Sequence, residues 1–287
     1  MAFNRPKVEV NKYRKASFLD AKILANEPLV EGDDEFADVR HITFDAPDYP
    51  YLEGQSVGVL APGQTDAGKD HAVRLYSISS LGNDIQHDER LSVTVKRVVY
   101  FDENEEKVYG VCSNYLASLK PGDSVRLTGP AGRKFLLPVA EELNRPYIFI
   151  ATGTGIAPFR GMLKRLLSDP VKTKHPVHLF FGVKTSRELL YEKELSELVK
   201  TNENFFMHTA ISREQKNEDG SRLYVHHLLE KKQEELAEIL SNENGLIYLC
   251  GLRGMEEGVN GALAKMMNRE PESIKDHFGE RIQTEVY

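Results

Sequence analysis

Tyr147-Ile148-Phe149-Ile150-Ala151-Thr152-Gly153-Thr154-Gly155-Ile156-Ala157-Pro158 reads as a buried strand, a glycine turn and the opening of a helix. The continuous apolar run at 147–151 suits a strand covered on both faces. Behind it, Gly153 and Gly155 let the backbone approach a ligand, and the first N–H groups of a helix can meet a dinucleotide phosphate. This is not the G-x-G-x-x-G fingerprint, because Pro158 stands where the third glycine would be. We place Pro158 at the first helical position, where its missing N–H costs nothing. Taken alone, the stretch is also an ordinary strand-to-helix turn; its meaning comes from its surroundings.

Downstream the pattern repeats. Apolar runs at Val177–Val183, Phe205–Ile211 and Leu246–Cys250 alternate with amphipathic stretches at Ala157–Leu167, Leu190–Lys200, Leu223–Leu240 and Met255–Met267. Buried strands alternating with helices predict a doubly wound parallel α/β domain. Upstream the period is two: Val39–Phe44 and Leu91–Lys96 alternate apolar and polar residues, separated by turn clusters at Pro62-Gly63, Gly82-Asn83-Asp84 and Pro121-Gly122-Asp123. That half predicts a closed antiparallel β-barrel, with one helical turn near Asn114–Leu119. The domains expected are a basic N-terminal arm over 1–18, a barrel over 19–142 and an α/β domain over 143–287.

The bulk properties exclude several classes. Hydrophobic residues make up 40% and charged residues 28%, as in an ordinary globular protein. No apolar run approaches the ~20 residues of a membrane span, and no apolar leader follows Met1. A cytoplasmic, monomeric protein is the expectation. Net charge of −7 argues against nucleic-acid binding. Cys112 and Cys250 are the only cysteines, too few for an iron–sulfur cluster, and no metal site is expected. Arg5, Lys7, Lys12, Arg14 and Lys15 make the first residues basic; we read them as a solvated tail, the alternative being an arm that meets an acidic partner.

Arg74-Leu75-Tyr76-Ser77 brings a guanidinium, an aromatic face and a hydroxyl together on a β-like run, as a flavin phosphate and ring require. On a strand Arg74 and Tyr76 share a face and Ser77 projects from the other. Cys112 lies in Gly110-Val111-Cys112-Ser113-Asn114-Tyr115-Leu116, a turn leading into a short helix that Ser113 or Asn114 would cap. Cys250 ends a buried strand, where ligands of open α/β sheets bind, although a lone buried Cys is more often a small hydrophobe. Glu285 and Tyr287 of the terminal Glu285-Val286-Tyr287 share a face on a strand.

These motifs, in this order, resemble plant-type ferredoxin–NADP⁺ reductases from about Lys12 to the last residue. The matching stretches are Glu53-Gly54-Gln55-Ser56, RLYSISS at 74–80, GVCSNYL at 110–116, ATGTGIAPFRG at 151–161, AISREQ at 210–215, YLCGLRGMEEG at 248–258 and the terminal EVY. The resemblance implies a six-stranded FAD-binding barrel followed by an NADP(H)-binding domain. It implies that Arg74 binds the FAD pyrophosphate, that Tyr76 stacks on the isoalloxazine and that Ser77 hydrogen-bonds near its N5. Tyr100 would pack on the adenine, with Val111, Cys112, Ser113 and Asn114 beside the flavin phosphates and ring. Thr154, Gly155 and Cys250 would adjoin the nicotinamide. Tyr287 would cover the other flavin face, and Glu285 would complete a hydrogen-bonded link with Ser77. Ser212, Arg213, Arg222 and Tyr224 resemble the pocket for the adenosine 2′-phosphate; two guanidiniums and two hydroxyls suit a dianion.

One departure concerns the partner: the family's docking lysine shortly before R-x-Y-S is replaced by Ala72 and Val73, although Lys69 remains. We expect no transit or linker segment of the kind some relatives carry, and no thylakoid anchoring. The activity implied is hydride exchange with NADP(H) and single-electron exchange with a separate ferredoxin or flavodoxin. The alternatives are the reductase component of a multicomponent oxygenase and a non-catalytic FAD/NADP-binding sensor or scaffold.

Overall fold

A computed structural model describes residues 3–65, 67–84, 89–168 and 172–287. The chain divides into two compact units, one of Lys7–Leu136 with Arg160–Met162 and the other of Met1–Pro6, Leu137–Phe159 and Leu163–Tyr287.

The first unit is built from β1 (Leu19–Pro28), β2 (Val39–Asp45), β3 (Ser56–Leu60), β4 (Arg74–Ser77), β5 (Ser92–Lys96), the small hairpin β6 (Val99–Phe101) and β7 (Lys107–Tyr109), helix α1 (Val111–Ser118) and β8 (Ser124–Ala131). Six strands form one sheet in the order β4-β3-β8-β1-β2-β5, and all its pairs are antiparallel. A bridge between Ile78 and Val93, with the Ser79 N–H donating to the Ser92 carbonyl at 2.8 Å, closes β4 onto β5 and makes the sheet a barrel. The inward residues of the alternating strands, among them Ile42, Phe44, Val57, Val59, Val93 and Leu127, are buried and pack into one core.

Helix α1 starts earlier than expected. It follows Gly110, whose extended backbone is the N-cap and supplies no side chain, so Ser113 and Asn114 lie inside the helix instead of capping it. Cys112 and Leu116 face the barrel core. Asn26 of β1 donates to the Leu116 carbonyl at 2.9 Å and to the Leu119 carbonyl at 2.7 Å, satisfying groups that a helix end leaves unpaired.

The basic N-terminal segment is not a free tail. Tyr13 bridges to Gly129 and stacks on Tyr49 with ring centroids 5.8 Å apart, while the Lys12 ammonium donates to the Asp48 carbonyl at 3.2 Å. Lys15 lies 3.3 Å from Asp70. An aromatic that can stack and spare backbone donors hold the segment on the barrel despite its charge.

The second unit contains β9 (Tyr147–Thr152), α2 (Ile156–Leu167), β10 (Val177–Val183), α3 (Glu192–Thr201), β11 (Phe205–Ile211), α4 (Val225–Lys231), α5 (Gln233–Ser241), β12 (Leu246–Gly251), α6 (Arg253–Met267), α7 (Ile274–Phe278) and β13 (Ile282–Val286). The sheet is parallel throughout, in the order β11-β10-β9-β12-β13. Every residue of β10 and β12 is buried, as strands covered on both faces should be. The strand order reverses on either side of β9, so a crevice forms at the carboxyl ends of β9 and β12. Helix α2 begins at Ile156, directly from a 3₁₀ turn at Gly153–Gly155, so Pro158 is its third residue, not its first. That position is still among the four N–H groups without an intrahelical acceptor. The single helix expected over Leu223–Leu240 is two, because Lys232 leaves helical geometry at φ −105° and ψ 14°. Among the described residues, no helix is long and apolar enough to cross a membrane.

Candidate active site

In the barrel unit, β3 positions β4 by pairing Val59 with Arg74, Val57 with Tyr76 and Ser56 with Ser77. Tyr76 packs against the barrel core beside Cys112, and burial raises the pKa of both. Arg74 is exposed and makes no hydrogen bond or ion pair with the described residues. Leu75 is 60%, Val111 52% and Tyr100 51% exposed. An unpartnered guanidinium amid uncovered apolar and aromatic surface fits an anionic group carrying flat rings.

Two neighbours serve the fold. The Ser113 hydroxyl accepts from the Val98 N–H at 3.1 Å and donates to the Gly110 carbonyl at 3.2 Å. Asn114 accepts from Arg97 at 2.5 Å and donates to the carbonyls of Val98 and Gly110. Both side chains pin the start of α1 to the segment after β5, which leaves their backbone as the part available to a ligand. The Glu53-Gly54-Gln55-Ser56 stretch is likewise a brace. Gln55 accepts from the Leu52 N–H and donates to the Gly132 carbonyl, each at 3.0 Å, and a Cβ on Gly54 would overlap the Phe135 carbonyl.

In the parallel-sheet unit, the predicted residues gather at the carboxyl ends of the strands. Cys250 of β12 pairs with Ala151 of β9 on one side and with Glu285 of β13 on the other. Gly155 presses against this point; a Cβ there would fall inside the contact distance of the Cys250 carbonyl. The last residue is tied in by backbone bonds: Tyr287 N–H donates to the Gly251 carbonyl at 3.0 Å, and Arg253 N–H donates to the Tyr287 carbonyl at 3.1 Å. Thr154 Oγ1 lies 2.7 Å from the Tyr287 hydroxyl.

Cys250 is buried, and burial, reinforced by nearby Glu285, raises its thiol pKa well above the ordinary value, so it is a neutral thiol. Burial pushes the Glu285 carboxyl up to about 7. Its Oε2 is buried with no hydrogen-bond partner in the protein. An orphaned carboxyl oxygen beside a neutral thiol, at the mouth of the sheet's crevice, fits a ligand that supplies a polar partner there.

Ser212 and Arg213 follow directly after β11, and a bridge between Lys216 and Arg222 folds the chain back so that Leu223 N–H donates to the Gln215 carbonyl. The hairpin therefore returns Arg222 and Tyr224 to the Ser212–Arg213 turn. Arg213 and Arg222 are exposed and make no ion pair with described residues. Sequence reasoning passed over Thr152, whose hydroxyl accepts from the Leu252 N–H at 3.0 Å, and Gly251, whose φ of +146° and contact with Thr152 exclude a side chain. The Cys-Gly step ending an apolar run was the signal available for the latter.

Comparison with known proteins agrees with this division. The oxidoreductase FAD-binding domain model matches residues 28–135, and the oxidoreductase NAD-binding domain model matches residues 149–261. The chain is 39% identical over 291 residues to a chloroplastic leaf ferredoxin–NADP reductase of Oryza sativa subsp. indica, covering 98% of this chain and 80% of the relative. It is 42% identical over 258 residues to the cyanelle ferredoxin–NADP reductase of Cyanophora paradoxa, covering 88% and 70%. The Synechocystis ferredoxin–NADP reductase is 41% identical over 266 residues; the match covers 90% of this chain but 64% of that protein. The solved ferredoxin–NADP⁺ reductase of Plasmodium falciparum is similar at a TM-score of 0.76 and 29% identity, covering 97% of this chain and 99% of that one. The same reductase solved with 2′P-AMP gives the same score and identity, covering 96% and 99%.

The expectation of a cytoplasmic protein is overturned by these relatives, which include chloroplastic and cyanelle proteins. Its grounds, no apolar run of membrane length and no apolar leader, describe many aqueous compartments and do not select the cytosol. With both domain models matched and most of each plant relative spanned, the chain belongs to the plant and cyanobacterial type of ferredoxin–NADP reductase, a family of FAD- and NADP(H)-binding oxidoreductases.

Proposed function

We propose that residues 19–142 hold FAD, that residues 143–287 hold NADP(H), and that the protein passes electrons between NADP(H) and a separate ferredoxin or flavodoxin. The observation that carries this reading is the buried, unpartnered Glu285 carboxyl oxygen beside the neutral Cys250 thiol at the end of β12. A bound flavin would supply the conversion between a two-electron hydride and single electrons; the protein supplies binding, orientation and a dry site.

Arg74 neutralises the pyrophosphate, and Tyr76 offers its face to the ring system. The backbone at Val111, Cys112 and Ser113 receives the phosphates, with Tyr100 against the adenine. Gly155 and Thr154 set the depth to which a nicotinamide enters. Cys250, held as a neutral thiol, would adjoin a bound nicotinamide without adding negative charge there. Glu285, poised near neutrality, can hold or release a proton at its own carboxyl. Ser212, Arg213, Arg222 and Tyr224 read the 2′-phosphate, a reading supported by the 2′P-AMP held in the Plasmodium relative.

Anaerobic absorbance titration of the purified protein with NADPH and, separately, NADH tests the reading. Bleaching or charge-transfer bands with NADPH and far less with NADH are expected. Equal response to both would remove the 2′-phosphate assignment and favour an oxygenase reductase, and a flavin inert to both would favour a non-catalytic binder.

A further inference from the structure

His178 of β10, His208 of β11 and Glu235 in the first turn of α5 present three ligand atoms that all lie within 4.8 Å of one another. The parallel register explains the meeting. His178 pairs with Phe206 and Phe180 with His208, so the two histidines share a face of the sheet on a diagonal. Their rings stack at a centroid distance of 5.4 Å and an interplanar angle of 10°, with Phe206 against His178 and Phe180 against His208.

Nδ1 of His178 lies 3.2 Å from Nε2 of His208. Two imidazole nitrogens bound tetrahedrally at ~2.0–2.1 Å from zinc are about 3.3 Å apart, so the ring pair already has the spacing of one edge of a zinc site. The third ligand atom stands on an exposed carboxylate, which can close the remaining gap by side-chain rotation.

We propose that His178, His208 and Glu235 bind a zinc-type divalent cation, with water completing the coordination. Two imidazoles and a carboxylate are the donor set zinc takes when one position is left open. His178 is the second residue of its strand, whereas Gly153, Cys250 and Tyr287 lie at carboxyl ends. The cation would therefore staple the sheet edge to α5 and take no part in hydride chemistry.

The electrostatics supports binding near neutral pH. Burial, the neighbouring ring and Lys232 together push His178 down to about 4, and burial with Lys232 also lowers His208. Both rings are thus in the neutral, ligating form, and protons do not compete. The competing group is Lys232, whose ammonium donates to Glu235 Oε1 at 2.6 Å and holds that carboxylate below its usual pKa. In the metal-free alternative, one ring N–H donates to the other ring and Lys232 alone occupies Glu235.

Equilibrium dialysis of the chelator-treated, flavin-loaded protein against zinc chloride separates the two. One zinc per chain is expected, with affinity weakened at least about 10-fold in His208→Gln and in Glu235→Gln. Lys232→Met should tighten binding by at least about fivefold, the worth in water of a single unit charge ~4 Å from another, which a divalent ion doubles in energy. No stoichiometric zinc in the unaltered protein, or equal zinc affinity in it and in Glu235→Gln and Lys232→Met, would overturn the proposal. The last two substitutions lie at the surface, so the comparison stands even if His208→Gln fails to fold. NADPH-driven flavin reduction should be unchanged across the set.

Discussion

The hydroxyl of Tyr287 lies 2.7 Å from Thr154 Oγ1, so the last residue of the chain is hydrogen-bonded to the glycine turn that opens α2. Its backbone is anchored to Gly251 and Arg253, yet its side chain remains 55% exposed. The ring is thus held through its hydroxyl by hydrogen bonds to the glycine turn, at Thr154 and at the Gly155 backbone, while its own backbone is fixed. On the proposed reading, a nicotinamide approaching Gly155 and Cys250 would have to displace it. Tyr287→Ser should tighten NADP⁺ binding by at least about fivefold, the ~1 kcal/mol of a hydrogen bond no longer broken, and should lower NADPH-over-NADH selectivity. Spectral titration and the ratio of kcat/KM values measure both, and no change in either would sink the idea.

Glu285 sets a pH window. Its folded pKa, raised by burial to about 7, exceeds the ordinary carboxyl value. Between those two values the folded state holds a proton the unfolded state has lost. Stability from this group is therefore full at low pH and is lost as pH rises through about 7. Against Glu285→Gln, the unaltered protein should lose about 1–3 kcal/mol between pH 4.5 and 8. Urea unfolding at several pH values measures the difference, and parallel curves for the two proteins would contradict the buried-acid assignment.

Arg213 precedes and Arg222 closes the hairpin after β11, and neither makes an ion pair with the described residues. Replacing either with Ala should weaken NADPH by about 10–100-fold, the ~1.5–3 kcal/mol of a hydrogen bond to a charged group, and leave NADH nearly unaffected. Steady-state kcat/KM with the two nucleotides reads this directly. A parallel loss with both would mean that the arginines hold the turn and not the phosphate.

Gly155 is constrained by space more than by conformation, since its φ is −62° but a Cβ would overlap the Cys250 carbonyl. Gly155→Ala should destabilise the protein by roughly 1–3 kcal/mol through overpacking and displace the thiol. Gly153 has open space around it and a φ of +54°, so Gly153→Ala should cost about 1 kcal/mol through backbone strain alone, with less effect on the site. Thermal unfolding together with nucleotide affinity distinguishes the two; equal effects would show that the crowding at Gly155 is relieved by a backbone shift.

Much of the parallel-sheet unit was legible because its strands are covered on both faces. The runs at 147–151, 177–183 and 246–250 are buried almost throughout, whereas β11, at the sheet edge, is only partly buried and carries His208 and Thr209. Helix starts were harder to read. Gly110 caps α1 without a side chain, so nothing in Val111-Cys112-Ser113 announced it. At Lys232 the apolar period continues while the backbone turns, and one apparent helix is two. Ser113 and Asn114 looked available to a ligand, but their side chains are spent on Val98, Gly110 and Arg97. Such competition depends on neighbours distant in the chain.

The order of the units, the glycine turn after β9 and the identity of the polar groups at the site were determined by local sequence, because period, turn chemistry and side-chain type are properties of short stretches. Which groups meet was decided only by tertiary structure. Strand register sets Cys250 beside Glu285 across β12 and β13, and it lays His178 against His208 across β10 and β11. Register is fixed by burial of whole strand faces against helices, a cooperative property that no single stretch contains.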